Sequence, residues 1–253
     1  LSVRSDQPHG TDIDSVSFSV RAGEILAIAG IAGNGQIELM NALSGETGPP
    51  RSGSIRMLDT EAGALTPVAR RQLGAVFVPE ERIGQAAVSD LNLVQNSFLT
   101  SADRLGFVSR GLVNWAGVEH YAQEILQRFD VKAAGTAALA NSLSGGNLQK
   151  FIVGREILQQ PQLLVVSQPT WGVDAGAAAA IHEQIQRLVS AGAGALIISQ
   201  DLDEIFALCD RIAVISQGTL SEPQLASDIT TQEVGLLMGA SRERTESLSH
   251  AGA

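Results

Sequence analysis

LSGGNLQK, at residues 143–150, joins a pair of glycines to the start of a predicted helix. Ser144 can donate its hydroxyl, Gly145 and Gly146 expose backbone N–H groups, and the positive end of the helix dipole lies behind them. This arrangement predicts a cradle for phosphate oxygens. A serine before a helix is also a common N-cap, so a purely structural role is the alternative. The candidate residues of the segment are Leu143, Ser144, Gly145, Gly146 and Gln149.

A second glycine-rich turn, GIAGNGQI at residues 30–37, lies between a predicted strand and a predicted helix. Its glycines match the phosphate-binding pattern GxxxxGK[ST], in which backbone N–H groups hold phosphate oxygens. Gln36 and Ile37 replace the lysine and the hydroxyl residue, so the phosphate-binding cation and the Mg²⁺ ligand are absent. A glycine turn that packs a strand on a helix is the alternative, whereas the order GxxGxG disfavours a dinucleotide site. The candidate loop residues are Gly30, Gly33, Asn34, Gly35, Gln36 and Ile37.

The composition is that of a globular, acidic chain. Its 253 residues are 44% hydrophobic, which is enough to bury the core of one domain. No run approaches the roughly 18 to 20 apolar residues of a membrane span, so we expect membrane association only through a partner. A net charge of −10 disfavours nucleic acid as a partner.

Apolar runs alternate with helical patterns along most of the chain. This alternation predicts an α/β fold in which a mostly parallel sheet is covered by helices on both faces. Between residues 91 and 130 no strand is predicted, and apolar residues recur at the spacing of one helix face. The predicted strands are 15–20, 25–29, 53–58, 75–78, 163–166, 195–198 and 212–215, and the predicted helices are 38–43, 66–73, 147–158, 175–189 and 202–208.

With these segments in place, the chain resembles the ABC transporter ATPases. LSGG before a helix is the signature motif of that family, and LSGGNLQK is close to the LSGGNQQK form of sugar and nucleoside importers. The resemblance covers roughly residues 12–240. It implies a P-loop NTPase fold of the ABC type, a small antiparallel β subdomain, and a helical subdomain inserted at about 88–150 within one domain of residues 1–240. We expect the polar tail at 241–253 to be disordered.

The positions that handle metal and water in the family are altered here. Ser167 and Gln168 stand where an Asp supports Mg²⁺ and a Glu activates the attacking water, and an amide cannot accept a proton. Gln200 replaces the switch histidine, and Glu80 replaces the glutamine that senses Mg²⁺. Asp174 matches the D-loop, which crosses between paired domains. The resemblance therefore implies that no catalytic residue is intact.

These losses predict a weak nucleotide site. Losing the charge-assisted contact of the lysine costs roughly 1.5 to 3 kcal/mol, or about one to two powers of ten in affinity. We expect weak or no ATP binding by this loop and negligible hydrolysis by the domain alone. An engineered glutamate-to-glutamine change would explain Gln168, but not Gln36, Ile37 and Ser167 together.

The resemblance also implies partners. ABC domains pair head to tail, and each ATP lies between the loop of one domain and the signature of the other. Ser144, Gly145 and Gly146 would then complete the ATP and Mg²⁺ site of a second cassette, which we expect to be the N-terminal half of the same polypeptide. Permease subunits would hold the pair at the cytoplasmic face of the cell membrane, with a solute-binding protein as an indirect partner.

The resemblance is strongest to the degenerate second cassette of double-cassette importers. The altered loop, the segment VPEER at 78–82 and the missing switch histidine all match that group. Segments at 168–170, 172–177, 181–182, 202–205 and 235–238 favour nucleosides as the solute, with pentoses or related sugars second. Residues 83–96 correspond to the region that receives a coupling helix of the membrane subunit, and a solvated loop is an equal alternative.

Two other functional classes remain as alternatives. One is a soluble ABC-type ATPase of nucleic-acid metabolism or translation, although such proteins usually carry long insertions between the motifs. The other is an interaction module that binds no nucleotide. We expect no resident metal, because the four histidines lack metal-ligand spacing, and we expect His120 and His182 to lie at the surface or face a partner.

Overall fold

The computed structural model describes residues 1–239. The predicted tail at 241–253 lies outside the described residues. In chain order the elements are β1 (Ile25–Ala29), α1 (Gln36–Ser44), β2 (Arg56–Met57), β3 (Thr60–Glu61), α2 (Pro67–Leu73), β4 (Ala75–Val78), α3 (Leu93–Ser101), β5 (Val108–Ser109), β6 (Leu112–Val113), α4 (Trp115–Arg128), α5 (Gly145–Ile157), β7 (Leu163–Ser167), α6 (Ala175–Ser190), β8 (Gly194–Ser199), α7 (Leu202–Leu208), β9 (Arg211–Ser216), β10 (Thr219–Leu220), β11 (Gln224–Leu225) and α8 (Thr231–Gly239).

One large, mostly parallel sheet organises this part of the chain. Its strand order is β10-β9-β1-β8-β7-β4, and β11 also pairs with β9. The five strands β9, β1, β8, β7 and β4 are parallel, while β10 and β11 run antiparallel at the β9 edge. Helices connect the parallel strands, as parallel pairing requires. The predicted mixed α/β architecture is confirmed.

Successive residues of β1 enter two different hydrophobic clusters. Ile25, Ala27 and Ala29 pack in one cluster with the buried faces of α4 to α7. Leu26 and Ile28 pack in the other, together with α1. Neighbouring side chains of a strand point to opposite faces, so a strand covered on both faces must be apolar at every position. The continuous apolar run of β1 satisfies that requirement.

The parallel order brings distant loops to one edge of the sheet. The carboxyl ends of β1, β7 and β8 are neighbours, because β8 pairs with both other strands in parallel register. The glycine loop at 30–35 follows β1, Gln168 follows β7 and Gln200 follows β8. Ligands of open α/β sheets bind at this edge, so the fold places the candidate loop next to the candidate residues Gln168 and Gln200.

Three helices form the predominantly helical region. α3 and α4 pack against each other, and both contact α5. On α4, Val118, Tyr121, Ala122 and Ile125 are buried, which confirms the predicted apolar face. Among the helices of residues 1–239, none is long and apolar enough to cross a membrane.

The predicted strand at 15–20 is wrong. Its alternation of polar and apolar residues does correspond to alternating burial, with Val16 in the second hydrophobic cluster. The backbone, however, has no continuous partner: Val16 N–H donates to the Leu1 carbonyl, and the nearby pairing is a single bridge between Val3 and Ile13. Side-chain periodicity without a neighbouring strand does not produce a ladder.

Two short hairpins differ from the sequence-based expectation. The predicted strand at 53–58 is reduced to β2, which pairs with β3 across Leu58 and Asp59, both at positive φ. Within the region predicted to lack strands, β5 and β6 form a hairpin across Arg110 and Gly111, at φ of 52° and 78°. Two central residues at positive φ suit the right-handed twist of a two-residue hairpin.

Candidate functional site

The glycine loop at 30–35 leads from β1 into α1. Gly33 and Gly35 have φ of 87° and 108°, values that glycine adopts more readily than other residues. A Cβ on Gly35 would also lie 2.7 Å from Ile13 Cδ1. The loop therefore depends on glycine at Gly35 for both its backbone conformation and its packing.

The side chain of Gln36 packs across this loop. It is only 8% exposed. Its Oε1 accepts a hydrogen bond from the Asn34 N–H at 3.0 Å, and its Nε2 donates to the Ile31 carbonyl at 2.8 Å. A Cβ on Gly30 would lie 2.6 Å from Gln36 Nε2. The amide thus occupies a backbone N–H group that a phosphate oxygen would need.

Further hydrogen bonds hold the loop from both sides. Asn34 Oδ1 accepts from the Gln217 N–H at 2.8 Å, and the Asn34 carbonyl accepts from the Gly218 N–H at 3.0 Å. From the N-terminal segment, Thr11 Oγ1 donates to the Gly33 carbonyl at 2.7 Å. The loop is fixed by the turn between β9 and β10 and by the residues before Ile13.

Glu38 places a carboxylate at the N-terminus of α1. Its Oε1 accepts hydrogen bonds from Ser5 Oγ at 3.1 Å and from the Thr11 N–H at 2.9 Å, and the residue is buried. A carboxylate in the first turn of a helix is stabilised by the helix dipole, as a bound phosphate would be. The sequence analysis missed Glu38. An acid two residues after the altered lysine position was the available signal, but its partners are 33 and 27 residues away.

An open cleft of about 400 Å³ adjoins the loop, with Ile37, Glu80, Ser167 and Trp171 in its walls. Ile37 is 51% exposed and presents only carbon atoms where a Mg²⁺ ligand is needed. The loop has no lysine, and the Gln36 side chain already accepts a hydrogen bond from the Asn34 N–H of the loop. The residues present therefore do not fit Mg²⁺·ATP bound to this domain's own loop.

The water-handling positions lie at the ends of adjacent strands. Gln168 follows β7 with φ of 51°, and its N–H donates to the Ile198 carbonyl at 2.8 Å. Gln200 follows β8 and is half-buried. Both side chains are neutral amides without a proton-accepting group near neutral pH. This edge of the sheet therefore lacks a general base at both positions.

The signature segment is constructed differently from the loop. Ser144 is the N-cap of α5, and its Oγ accepts from Asn147 N at 3.4 Å and from Asn147 Nδ2 at 2.9 Å. Ser144 and Gly145 are exposed, Gly146 and Leu143 are half-buried, and Leu143 packs against the first hydrophobic cluster. The first turn of α5 therefore presents a serine hydroxyl and helix N–H groups at the surface.

The D-loop lies beside this helix start. A Cβ on Gly146 would lie 3.4 Å from the Gly172 carbonyl and 3.6 Å from Val173 Cα. Asp174 is exposed and caps α6, because its Oδ1 accepts from the Ala177 N–H at 2.9 Å. This hydrogen bond holds the pKa of Asp174 below its usual range. The structure brings the signature glycines and the ionised Asp174 loop together on one surface.

Gln149 faces inward, away from the exposed part of the signature. It is 2% exposed, and its Nε2 donates to the Pro169 carbonyl at 2.9 Å and to the Gln168 carbonyl at 3.3 Å. Gln149 therefore connects α5 to the chain that follows β7. Its position favours a structural role within the site over contact with a ligand.

The buried carboxylate of Glu204 connects the segment before the D-loop to the end of β8. Glu204 accepts hydrogen bonds from Thr170 Oγ1 at 2.6 Å and from Ser199 Oγ at 2.8 Å. His182 Nε2 lies 3.0 Å from the same carboxylate, and its side chain is 22% exposed. His182, expected to lie at the surface or to face a partner, is half-buried, with its ring beside the Glu204 carboxylate. His120 is exposed, as expected.

Comparison with known sequences gives the family. A family model described as ABC transporter matches residues 13–171. The chain is 38% identical over 226 residues to the nucleoside import ATP-binding protein NupA of Lactococcus lactis, covering 89% of this chain and 44% of that protein. It is 36% identical over 232 residues to the guanosine import ATP-binding protein NupO of Bacillus subtilis (92% and 45%) and 34% identical over 232 residues to the ribose import ATP-binding protein RbsA of Pseudomonas putida (91% and 45%). The chain spans less than half the length of these relatives.

Solved structures agree at the level of the fold. The ATP-binding subunit of an ABC transporter superposes with a TM-score of 0.72 at 23% identity, covering 98% of this chain and 96% of that one. A dimeric ATP-binding cassette in a post-hydrolysis state, bound to ADP and phosphate, also gives a TM-score of 0.72, at 19% identity and with 89% and 96% covered. At these identities the likeness concerns the fold alone.

Proposed function

The chain belongs to the ABC transporter family, and we propose that it is a non-catalytic nucleotide-binding domain of an importer that supplies its signature segment to a partner's ATP site. One contrast carries this proposal. Ser144 and Gly145 are exposed at the start of α5, whereas the Gln36 amide is hydrogen-bonded to the backbone of the domain's own loop. The helix start that would serve a partner is exposed, whereas the loop that would serve this domain is already hydrogen-bonded by the Gln36 side chain.

The chemistry of each surface supports this division. The exposed helix start offers a hydroxyl, backbone N–H groups and a dipole, which bind phosphate without any further side chain. The partner must then supply the lysine, the metal ligands and the general base. In this arrangement Mg²⁺ and ATP lie between the two domains, and hydrolysis by this domain alone is negligible.

The partner cassette is proposed to be the N-terminal half of the same polypeptide. The share of the relatives that this chain covers, 44% to 45%, leaves room in a comparable protein for a second domain of similar size. Permease subunits would anchor the pair at the cytoplasmic face of the membrane and receive solute from a binding protein.

The transported solute is proposed to be a nucleoside, with a pentose or a related sugar as the second candidate. The names of NupA and NupO support nucleosides, and RbsA supports the second candidate at slightly lower identity. The two candidates are separated by testing whether guanosine or ribose inhibits solute uptake by the complete transporter. Inhibition by ribose alone would contradict the nucleoside assignment.

The test of the central proposal is the substitution Ser144→Arg in the complete two-cassette protein. The bulky cation should displace the phosphate from the helix start and lower ATP hydrolysis by about 100-fold, the effect of losing one transition-state donor. Asn114→Arg is the matched control. Asn114 is an exposed N-cap of α4, so it loses a comparable cap and gains the same charge at a different helix.

The two variants together separate the functional classes. Loss of hydrolysis in Ser144→Arg alone supports the composite site. Equal activity in Ser144→Arg and in the unmodified protein would contradict it and favour an interaction module. Full hydrolysis by this domain in isolation would instead favour a self-sufficient soluble ATPase.

A further inference from the structure

We propose that Arg82 is a positioning residue for the partner's ATP site, because it fastens the signature helix to the loop that carries Asp174. This inference rests on the proposed function, which assigns both of those segments to the composite site. Arg82 belongs to the segment VPEER at 78–82, which the resemblance identifies but to which the proposed mechanism gives no role.

The guanidinium of Arg82 reaches both segments. Its Nε donates to Gln149 Oε1 on α5 at 2.9 Å, and its Nη2 donates to the Trp171 carbonyl. A Cβ on Gly145 would lie 2.8 Å from Nη1, and one on Gly172 would lie 3.2 Å from Nη2. Arg82 therefore lies between the first residue of the signature helix and the beginning of the D-loop.

The bond from Arg82 also fixes the orientation of Gln149. The Gln149 oxygen accepts from Arg82, and its Nε2 donates to the Pro169 carbonyl. A flipped amide would place an oxygen against a carbonyl and an NH₂ group against a guanidinium, so both bonds would be lost. Arg82 and Gln149 thus form one chain of hydrogen bonds from the segment after β4, through α5, to the segment after β7.

Arginine is specifically suited to this position. Its planar guanidinium offers donors in several fixed directions, whereas lysine offers a single flexible ammonium group. The acceptors on Gln149 and Trp171 are neutral, and burial lowers the pKa of Arg82. The three N–H donors of a lysine all lie on one nitrogen, so a lysine would hold the two segments together less firmly than the guanidinium does.

The consequence concerns geometry across the pair. Gly145 and Gly146 contact the partner's bound phosphate in the proposed arrangement, and Asp174 lies next to them. A displacement of about 1 Å at a reacting group can lower a rate by about 100-fold. Losing Arg82 should therefore impair turnover at the partner's site, although Arg82 itself does not touch the reacting atoms.

The test uses the complete two-cassette protein with Arg82→Gln, Arg82→Lys and Gln149→Ala, and with Arg4→Ala, an exposed position, as the control. We expect Arg82→Gln to lower kcat for ATP hydrolysis by 10- to 100-fold with a smaller change in KM. Arg82→Lys should retain intermediate activity. The double variant Arg82→Gln/Gln149→Ala should be no slower than the worse single variant, because the two residues act through one chain of bonds.

Two outcomes would overturn the inference. One is a fall in Tm for Arg82→Gln with unchanged kcat in the folded protein, which would show a merely structural role. The other is a double variant whose two losses multiply, which would show that the residues act independently. Ser144→Arg distinguishes this failure from failure of the proposed function: loss of hydrolysis there with normal Arg82 variants rejects only the role of Arg82.

Discussion

Gln36 does more than remove the positive charge of a lysine from the loop, because its side chain also bonds to the loop backbone. Its amide accepts from one loop N–H and donates to one loop carbonyl, so the loop is already hydrogen-bonded without a ligand. A triphosphate would have to displace these bonds, and it would gain no cation in return. Gln36 therefore both removes a cation and takes up hydrogen bonds of the loop backbone.

Glu156 shows how a buried charge stabilises the helical region. Its carboxylate is fully buried and contacts Arg71 at 2.7 Å and Arg155 at 2.9 Å, and it accepts from Thr100 Oγ1 at 2.8 Å. Burial alone would raise the pKa of Glu156, but the two guanidinium groups and the hydrogen bonds hold it below its ordinary value. The carboxylate is therefore ionised in the folded protein.

Glu156→Gln should lower the free energy of unfolding by roughly 3 kcal/mol near neutral pH, because the buried Arg155 and the half-buried Arg71 lose their charged partner. The lowered pKa means that this contribution is complete above the unfolded value of 4.5 and is lost as pH falls through the folded value. Urea unfolding from pH 7 to pH 3 measures both effects. The gap between the two proteins should narrow below about pH 4.5. A constant gap would contradict the assignment, and Glu119→Gln, an exposed change, is the control.

At the residue scale, the structure reveals long-range contacts that the sequence alone does not show. Gln36, Ile37 and Gln168 could be identified from the sequence, because each occupies a numbered place in a local motif. Glu38 and Arg82 could not, since their partners lie between 27 and 89 residues away. A motif identifies which side chain is missing, whereas only the folded chain identifies what replaces it.

At the scale of elements, buried strands and capped helices were easier to predict than short exposed strands. β4 and α7 begin and end at the predicted residues, because apolar runs, glycine and caps define their ends locally. The incorrect strand at 15–20 has a suitable pattern but no ladder partner. The hairpin of β5 and β6 has too few residues for a periodic signal, and Arg110-Gly111 was its main local indication.

The start of α3 offers a test of local stabilisation. Asn92 and Gln95 form a capping box, in which Asn92 Oδ1 accepts from the Gln95 N–H at 2.8 Å and Gln95 Oε1 accepts from the Asn92 N–H at 3.0 Å. Asn92→Ala should reduce the free energy of unfolding by about 1 kcal/mol. Gln95→Ala should cost less, because the N-cap bond remains. Chemical denaturation measures both, and a larger loss in Gln95→Ala would contradict the capping explanation.

At the scale of the whole molecule, the strand order is the feature that local patterns could not supply. The alternation of strands and helices indicated a parallel sheet, but not that Ile25 pairs with Ala195 or Ala75 with Leu163. Those pairings place the loop, Ser167 and Gln200 at one edge. The hydrogen bonding that holds the loop is thus a property of the assembled sheet, since the turn between β9 and β10 and the N-terminal segment both contribute to it.

This arrangement predicts the number of nucleotides that a complete two-cassette protein binds. If the proposed function is correct, one ATP should bind per polypeptide, at the site built from the partner's loop, because Gln36 replaces the lysine of this domain's own loop and the signature is exposed. Equilibrium dialysis with a non-hydrolysable ATP analogue measures the stoichiometry. A variant combining Gln36→Lys, Ile37→Ser and Glu38→Thr supplies the cation and the hydroxyl and removes the carboxylate. It should gain a second, weaker site, because a charge-assisted contact of roughly 1.5 to 3 kcal/mol corresponds to about one to two powers of ten in affinity. Two equivalent sites in the unmodified protein would show that the Gln36 amide leaves the loop readily, and its hydrogen bonds would then have no effect on binding.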